Sequence, residues 1–253
     1  MLECCILFLH HQDDPTTRAH LELLRRLNPY PVVALCNAAS EHVADALDVA
    51  MLSRRWGDED RWSGADTVLY RWFLHGGLRA ERYLFLEWDT LATMPIREFY
   101  DEVWDADAAG SVAKRIEDHP DWIWFIQVEQ LPEPLRRYAG GLVPLNGTLL
   151  SHRALEAVAS GSIPDKILSE LRLGTLLRSQ GFALTELPEP KRRMNLYDRR
   201  LITFDAHKPG IYHPIKGETR PVPASLAAPA TGLAALDRPG RLVAGAAPAV
   251  SGP

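Results

Sequence analysis

Two unbroken apolar runs constrain this chain most. Cys4 to His10 reads CCILFLH, and Arg82 to Leu86 reads RYLFL. Runs this short and this continuously apolar suit strands covered on both faces. Helical patterns separate them. Asp14 is a natural N-cap with Pro15 at the first helical position, Leu21, Leu24 and Leu27 share one face, and Asn28-Pro29 stops the helix. Pro31 to Ala38 (PVVALCNA) predicts a second strand. Ser40 then caps a helix with Val43, Leu47 and Met51 on one face, and the segment 55–64 (RWGDEDRWSG) is a polar loop with exposed indoles at Trp56 and Trp62. A helix over Asp66–Leu74 turns Val68 and Trp72 inward and ends at Gly76-Gly77. Strands alternating with helices at short spacing predict an α/β fold: a mostly parallel, Rossmann-like central sheet flanked by helices.

The second half is less regular. Pro95 to Trp104 reads as helix, AGSVAKR and WIWFIQ as strands, with Trp122 and Trp124 in the core. Leu142–Ser151 (LVPLNGTLLS) is broken by a turn at Asn146-Gly147. Helices are expected over His152–Ser160 and Pro164–Gln180, and a strand over Phe182–Leu187. From Pro221 to Pro253 the chain holds ten alanines, six prolines and no aromatic residue. Such a stretch cannot build a core, which predicts a folded domain over 1–219 and a disordered tail over 220–253.

A formal net charge of −5 gives no support to a nucleic-acid or anionic-membrane partner. Cys4, Cys5 and Cys36 are too few and too badly spaced for a disulfide framework or a zinc site. The N-terminus lacks a basic start, and no run approaches the ~20 apolar residues of a membrane helix. The expected setting is cytoplasmic, with peripheral membrane recruitment left open and no integral membrane segment.

The second apolar run ends on Glu87 and Asp89, with Trp88 between them. Alternation along a strand turns both acids to one side. Two acids at a strand's carboxyl end can grip a divalent cation where open α/β sheets place their ligands. They can equally face water or cap the next helix.

The order LEWD, LNGTLLS, SELRLGTLLRSQGF, YHPIKG after an α/β start resembles the nucleotide-sugar glycosyltransferases of GT-A fold, over roughly residues 4–217. The resemblance implies a Mn²⁺ or Mg²⁺ ion held at the place of that family's Asp-x-Asp motif. Asp89 matches its second acid and Glu87 replaces its first. His213 completes the metal site, and Lys216 meets the donor's phosphates. Glu170 matches an acid that deprotonates the acceptor hydroxyl, with Asp165 as the alternative; a solvated Glu170 paired with Lys166 is the plainer reading. The loop after the first strand lies under the nucleotide, which singles out His10 and Gln12. Trp88 and the Asn146-Gly147 turn join the donor-binding set. Asp66 faces the same cleft or serves its own helix terminus. The implied activity moves a sugar from a nucleotide-diphosphate donor to an unknown glycan, lipid or small-molecule acceptor.

Two other functions fit the same fold. A sugar nucleotidyltransferase needs a glycine-rich phosphate loop after the first strand, where this chain has HHQDDPTTR. A non-catalytic binding protein is favoured by Glu87 in place of Asp and by a single acid at Glu170.

Overall fold

A computed structural model describes residues 1–10, 15–36, 64–161, 167–195 and 208–215. Its centre is a six-stranded sheet of order β2-β1-β3-β8-β5-β9. These strands are β1 (Leu2–His10), β2 (Val32–Cys36), β3 (Ala80–Glu87), β5 (Ala108–Gly110), β8 (Thr148–Ser151) and β9 (Thr185–Glu186). β1 runs parallel to both β2 and β3, and β5 parallel to β9. Only β8 is reversed, antiparallel to β3 and to β5. Five of the six strands therefore share one direction, and the expected α/β fold is present.

The two apolar runs are strands for the reason their composition gave. Cys5, Leu7, Leu9, Tyr83 and Phe85 face one side, packing with α2 (Ala65–Leu74), α5 (His152–Ala159) and α6 (Ser169–Ser179). Cys4, Ile6, Phe8, Leu84 and Leu86 face the other, packing with Leu24 of α1 (Pro15–Leu27) and with Phe99, Tyr100 and Trp104. Tyr83 is met edge-on by Trp72 at 6.1 Å and by Phe73 at 5.7 Å between ring centroids, a geometry worth ~1 kcal/mol per pair beyond burial. Both faces are covered, so polar alternation has no place in these strands.

Two small antiparallel pairs complete the frame. β4 (Leu91–Ala92) pairs with β10 (Ile211–Tyr212), and β6 (Val112–Arg115) with β7 (Gly140–Val143). α3 (Ile96–Phe99), α4 (Glu133–Arg136) and α7 (Lys191–Asn195) are single turns.

Several expectations need correction. WIWFIQ is not a strand: Ile123–Gln130 is a 3₁₀ helix. Its inward residues Phe125 and Val128, with Leu131 just past its end, recur every three positions, the 3₁₀ period, and join a third core cluster with Ala139, Ile167 and Leu171. Trp122 and Trp124 are half-buried rather than core, and Ile123 and Ile126 point outward. Pro95–Trp104 is not one helix but α3 followed by a 3₁₀ turn at Asp101–Val103. Only Thr185–Glu186 of the expected last strand pairs with the sheet. The Asp14 cap, the helix after Ser40, Cys36's side chain, the Trp56 and Trp62 loop and the 220–253 tail lie outside the described residues.

Candidate metal centre

β3 stops at Glu87, and Thr90 N–H closes a turn onto Glu87 C=O at 3.0 Å. The two acids therefore reach one site through a turn, not through continued strand alternation. Asn146 stabilises that turn from the neighbouring strand's entry. Its Oδ1 accepts from Glu87 N–H and from Thr90 Oγ1, each at 2.6 Å. Trp88 turns away and packs, half-buried, against the Leu84–Leu86 face. Its carbonyl lies 3.3 Å from His20 Nδ1 of α1.

The third group arrives from the far end of the chain. Leu91 and Ala92 pair with Tyr212 and Ile211, and Ile215 N–H donates to Asp89 C=O at 2.8 Å. These bonds lay residues 211–215 alongside the turn and deliver His213 to it. His213 Nε2 stands 3.4 Å from Asp89 Oδ1 and 3.5 Å from Glu87 Oε2. One ligand atom from each of Glu87, Asp89 and His213 falls within 4.8 Å of the others.

That spacing fits a shared cation. Charge-assisted hydrogen bonds close to about 2.7–2.9 Å. Ligand atoms about 2.1 Å from one ion stand roughly 3.0–3.4 Å apart in octahedral or tetrahedral geometry. Two carboxylate oxygens and one imidazole nitrogen are also the donor types that Mn²⁺ and similar ions accept. His213 Nδ1 is buried without a hydrogen-bond partner among the described residues, leaving Nε2 as the nitrogen that faces the acids. Burial alone would lower the His213 pKa, but Asp89 and Glu87 outweigh it and raise it to about 9. The site wants one positive centre among its acids, a proton or a metal ion.

Glu170 opens α6 and is buried. Ser169 Oγ donates to its Oε2 at 2.9 Å. Its pKa is raised, first by burial and further by the Glu87 and Asp66 carboxylates, while its own backbone N–H and Ser169 pull it down.

The remaining expected residues fall differently. Asp66 is fully buried, and both its oxygens are bound by Arg172 of α6, Oδ2 by Nε at 2.9 Å and Oδ1 by Nη2. Arg172 also donates to Ile167 C=O at 3.0 Å. This pair fastens α2 to α6, so the Asp66 carboxylate is committed inside the protein rather than to a cleft. Asn146 is likewise interior, and Gly147, with φ of +81°, donates its N–H to Phe85 C=O at 2.7 Å. A Cβ on Gly147 would strike the Asn195 amide, which gives the glycine its reason. His10 is buried at the end of β1, one residue beyond Leu9, whose register partner is Glu87. Gln12, Asp165 and Lys216 lie outside the described residues.

Sequence reasoning missed Arg172 and Asn195. An Arg between Leu171 and Leu173, on a helix buried almost all round, signals a buried acid partner. Asn195 stands in RRMNLY, where no spacing marks it.

No protein-family model matches this chain, and no curated protein matches it. Among solved structures it is similar to the apo structure of WbbM, a bifunctional glycosyltransferase, at 14% identity and a TM-score of 0.38. The likeness covers 74% of this chain and 38% of that one, so the chain spans well under half of the protein it matches.

Proposed function

We propose that this chain is a metal-assisted glycosyltransferase, moving a sugar from a nucleotide-diphosphate donor to an acceptor hydroxyl. The observation that carries the reading is the convergence of Glu87, Asp89 and His213 at the carboxyl end of a central strand. Strand ends of this kind are where open α/β sheets bind ligands. The resemblance of LEWD, SELRLGT and YHPIKG to GT-A motifs in the same order supports it.

Glu87, Asp89 and His213 would hold a Mn²⁺ or Mg²⁺ ion. When bound, such an ion neutralises charge on a departing diphosphate. Lys216, three residues beyond His213, is assigned to the phosphates, and His10 and Gln12 to the nucleotide. Glu170 is assigned the acceptor proton. Burial holds its carboxylate more basic than a surface Glu, which suits a general base. Asp165 is the alternative base. Asn146 serves the donor side only through the Glu87 turn it holds, and Trp88, packed on the Leu84–Leu86 face, is not assigned to it.

The test is calorimetric titration of UDP and GDP, with and without Mn²⁺, into the chain and its Asp89→Asn variant. Binding that requires Mn²⁺ and vanishes in the variant is expected. Failure of both nucleotides under every condition would overturn the donor-site reading and favour the non-catalytic one.

A further inference from the structure

The metal ligands come from two segments far apart in sequence, and a buried chain of polar groups lies between their supports. It starts at Glu87 N–H, which can only donate, so the Asn146 oxygen must face it. Asn146 Nδ2 is then the donor to Asn195 Oδ1, at 3.1 Å. Asn195 Nδ2 in turn reaches Tyr100 Oη at 3.4 Å, and that hydroxyl donates to Gly147 C=O at 2.9 Å. Every donor has one direction open to it. Asn146, Asn195 and Tyr100 are all fully buried, so no water competes for these bonds.

At the other end, Asn195 adjoins Met194, whose carbonyl accepts His213 N–H at 3.2 Å. The Glu87–Asp89 turn and the His213 backbone are thereby referenced to one short helix, α7. We propose that Asn146, Asn195 and Tyr100 form a positioning bridge that sets the distance between the carboxylate pair and His213, and so sets the affinity of the site for a divalent cation. The proposal rests on the metal reading above and adds to it three residues that touch no ligand atom.

Other bonds also hold the 211–215 segment, namely the β4–β10 pairing and Ile215 N–H to Asp89 C=O. Removing the bridge should therefore loosen the site rather than abolish it. Outer-sphere partners of metal ligands typically contribute about 10–100-fold in affinity. Deleting the Asn195 side chain leaves the Asn146 amide without its acceptor, frees it to turn, and releases the Glu87 turn.

The experiment is Mn²⁺ titration of the full chain, followed by electron paramagnetic resonance, alongside thermal melts. The variants are Asn195→Ala, Tyr100→Phe, Asp89→Asn and Val158→Ala. Val158 is buried on α5, outside the bridge, and serves as a destabilised control. Asn195→Ala should weaken Mn²⁺ binding by roughly 10–100-fold. Tyr100→Phe, which keeps the ring, should weaken it less and in the same direction. Val158→Ala should lower the melting temperature and leave Mn²⁺ affinity unchanged. If the two bridge variants only melt earlier and bind Mn²⁺ like the parent, the bridge is structural and the proposal fails. Should Asn195→Ala not fold, unchanged affinity in Tyr100→Phe overturns it alone. If the parent chain binds no Mn²⁺, the metal reading falls first and the bridge falls with it.

Discussion

His213 Nε2 stands 3.4 Å from Asp89 Oδ1, a distance that a shared proton or a shared cation can bridge but that neither residue's own segment dictates. The two acids have already drawn the imidazole pKa up to about 9 in the metal-free protein. Metal binding needs the neutral ring, so a cation must displace that proton. The apparent Mn²⁺ dissociation constant should fall roughly tenfold per pH unit from pH 6 upward and level off near pH 9. Calorimetry in two buffers of different ionisation enthalpy should show about one proton released per ion at pH 7.

The same proton affects stability when no metal is present. The folded pKa of about 9 lies above the ordinary 6.5, so the stabilisation is complete below pH 6.5 and is lost as pH rises through 9. The span from 6.5 to about 9 corresponds to a loss of roughly 3 kcal/mol. Urea melts in chelator at pH 6 and pH 9.5 measure it, and His213→Asn should flatten the difference.

Glu170 gives the opposite trade between activity and stability. Its pKa is raised, so its ionised form is disfavoured in the fold. That cost is absent below the ordinary value of 4.5 and grows as pH rises above it. Glu170→Gln should therefore be more stable than the parent at pH 7, with the gain vanishing below about pH 4.5. If Glu170 is the base, turnover should fall by ~10²–10⁴-fold with little change in donor binding. Thermal melts against pH and steady-state rates check the two halves separately.

Asp66 and Arg172 form a bidentate pair with side chains 0% and 3% exposed. Removing one partner strands the other's charge, so Asp66→Leu or Arg172→Met should each cost about 3–5 kcal/mol. The double variant Asp66→Leu/Arg172→Met should cost clearly less than the sum of the singles, because no buried charge remains. Denaturant melts of the four proteins form the cycle.

Gly174 lies on α6 one turn after Glu170. A Cβ there would come within 2.6 Å of Gly140 C and 2.8 Å of Gly141 Cα. Backbone cannot yield as a flexible side chain does, so Gly174→Ala should push α6 off β7 and cost ~1–3 kcal/mol. Because α6 carries Glu170, turnover should drop as well. A melt with an assay of donor consumption tests both.

How much of this was readable beforehand depended on whether the signal was local. β1 and β3 were legible because strands covered on both faces need a continuous apolar run, which few other local structures leave. Ile123–Gln130 was misread because apolar density was weighed without its period of three. Glu87, Asp89 and His213 could be nominated from residue type and order, but their meeting depends on the β4–β10 pairing, for which two-residue strands leave no pattern. Asp66 reads from sequence as a cleft residue or a helix-terminus acid, because a sequence does not show that Arg172 takes both its oxygens. Asn195 was invisible for the same reason: its role exists only through neighbours nearly fifty and a hundred positions away.

The reversed strand and the late β10 also fix an order in time. All six strands of the central sheet are encoded by residue 186, while the third member of the trio waits until residue 213. Chains emerge from the ribosome N-terminus first, at about 5–20 residues per second. The sheet's strands are thus all synthesised before His213 exists. A chain ended before residue 213 would carry the two acids without the imidazole that meets them, so the trio can assemble only after every strand of that sheet exists.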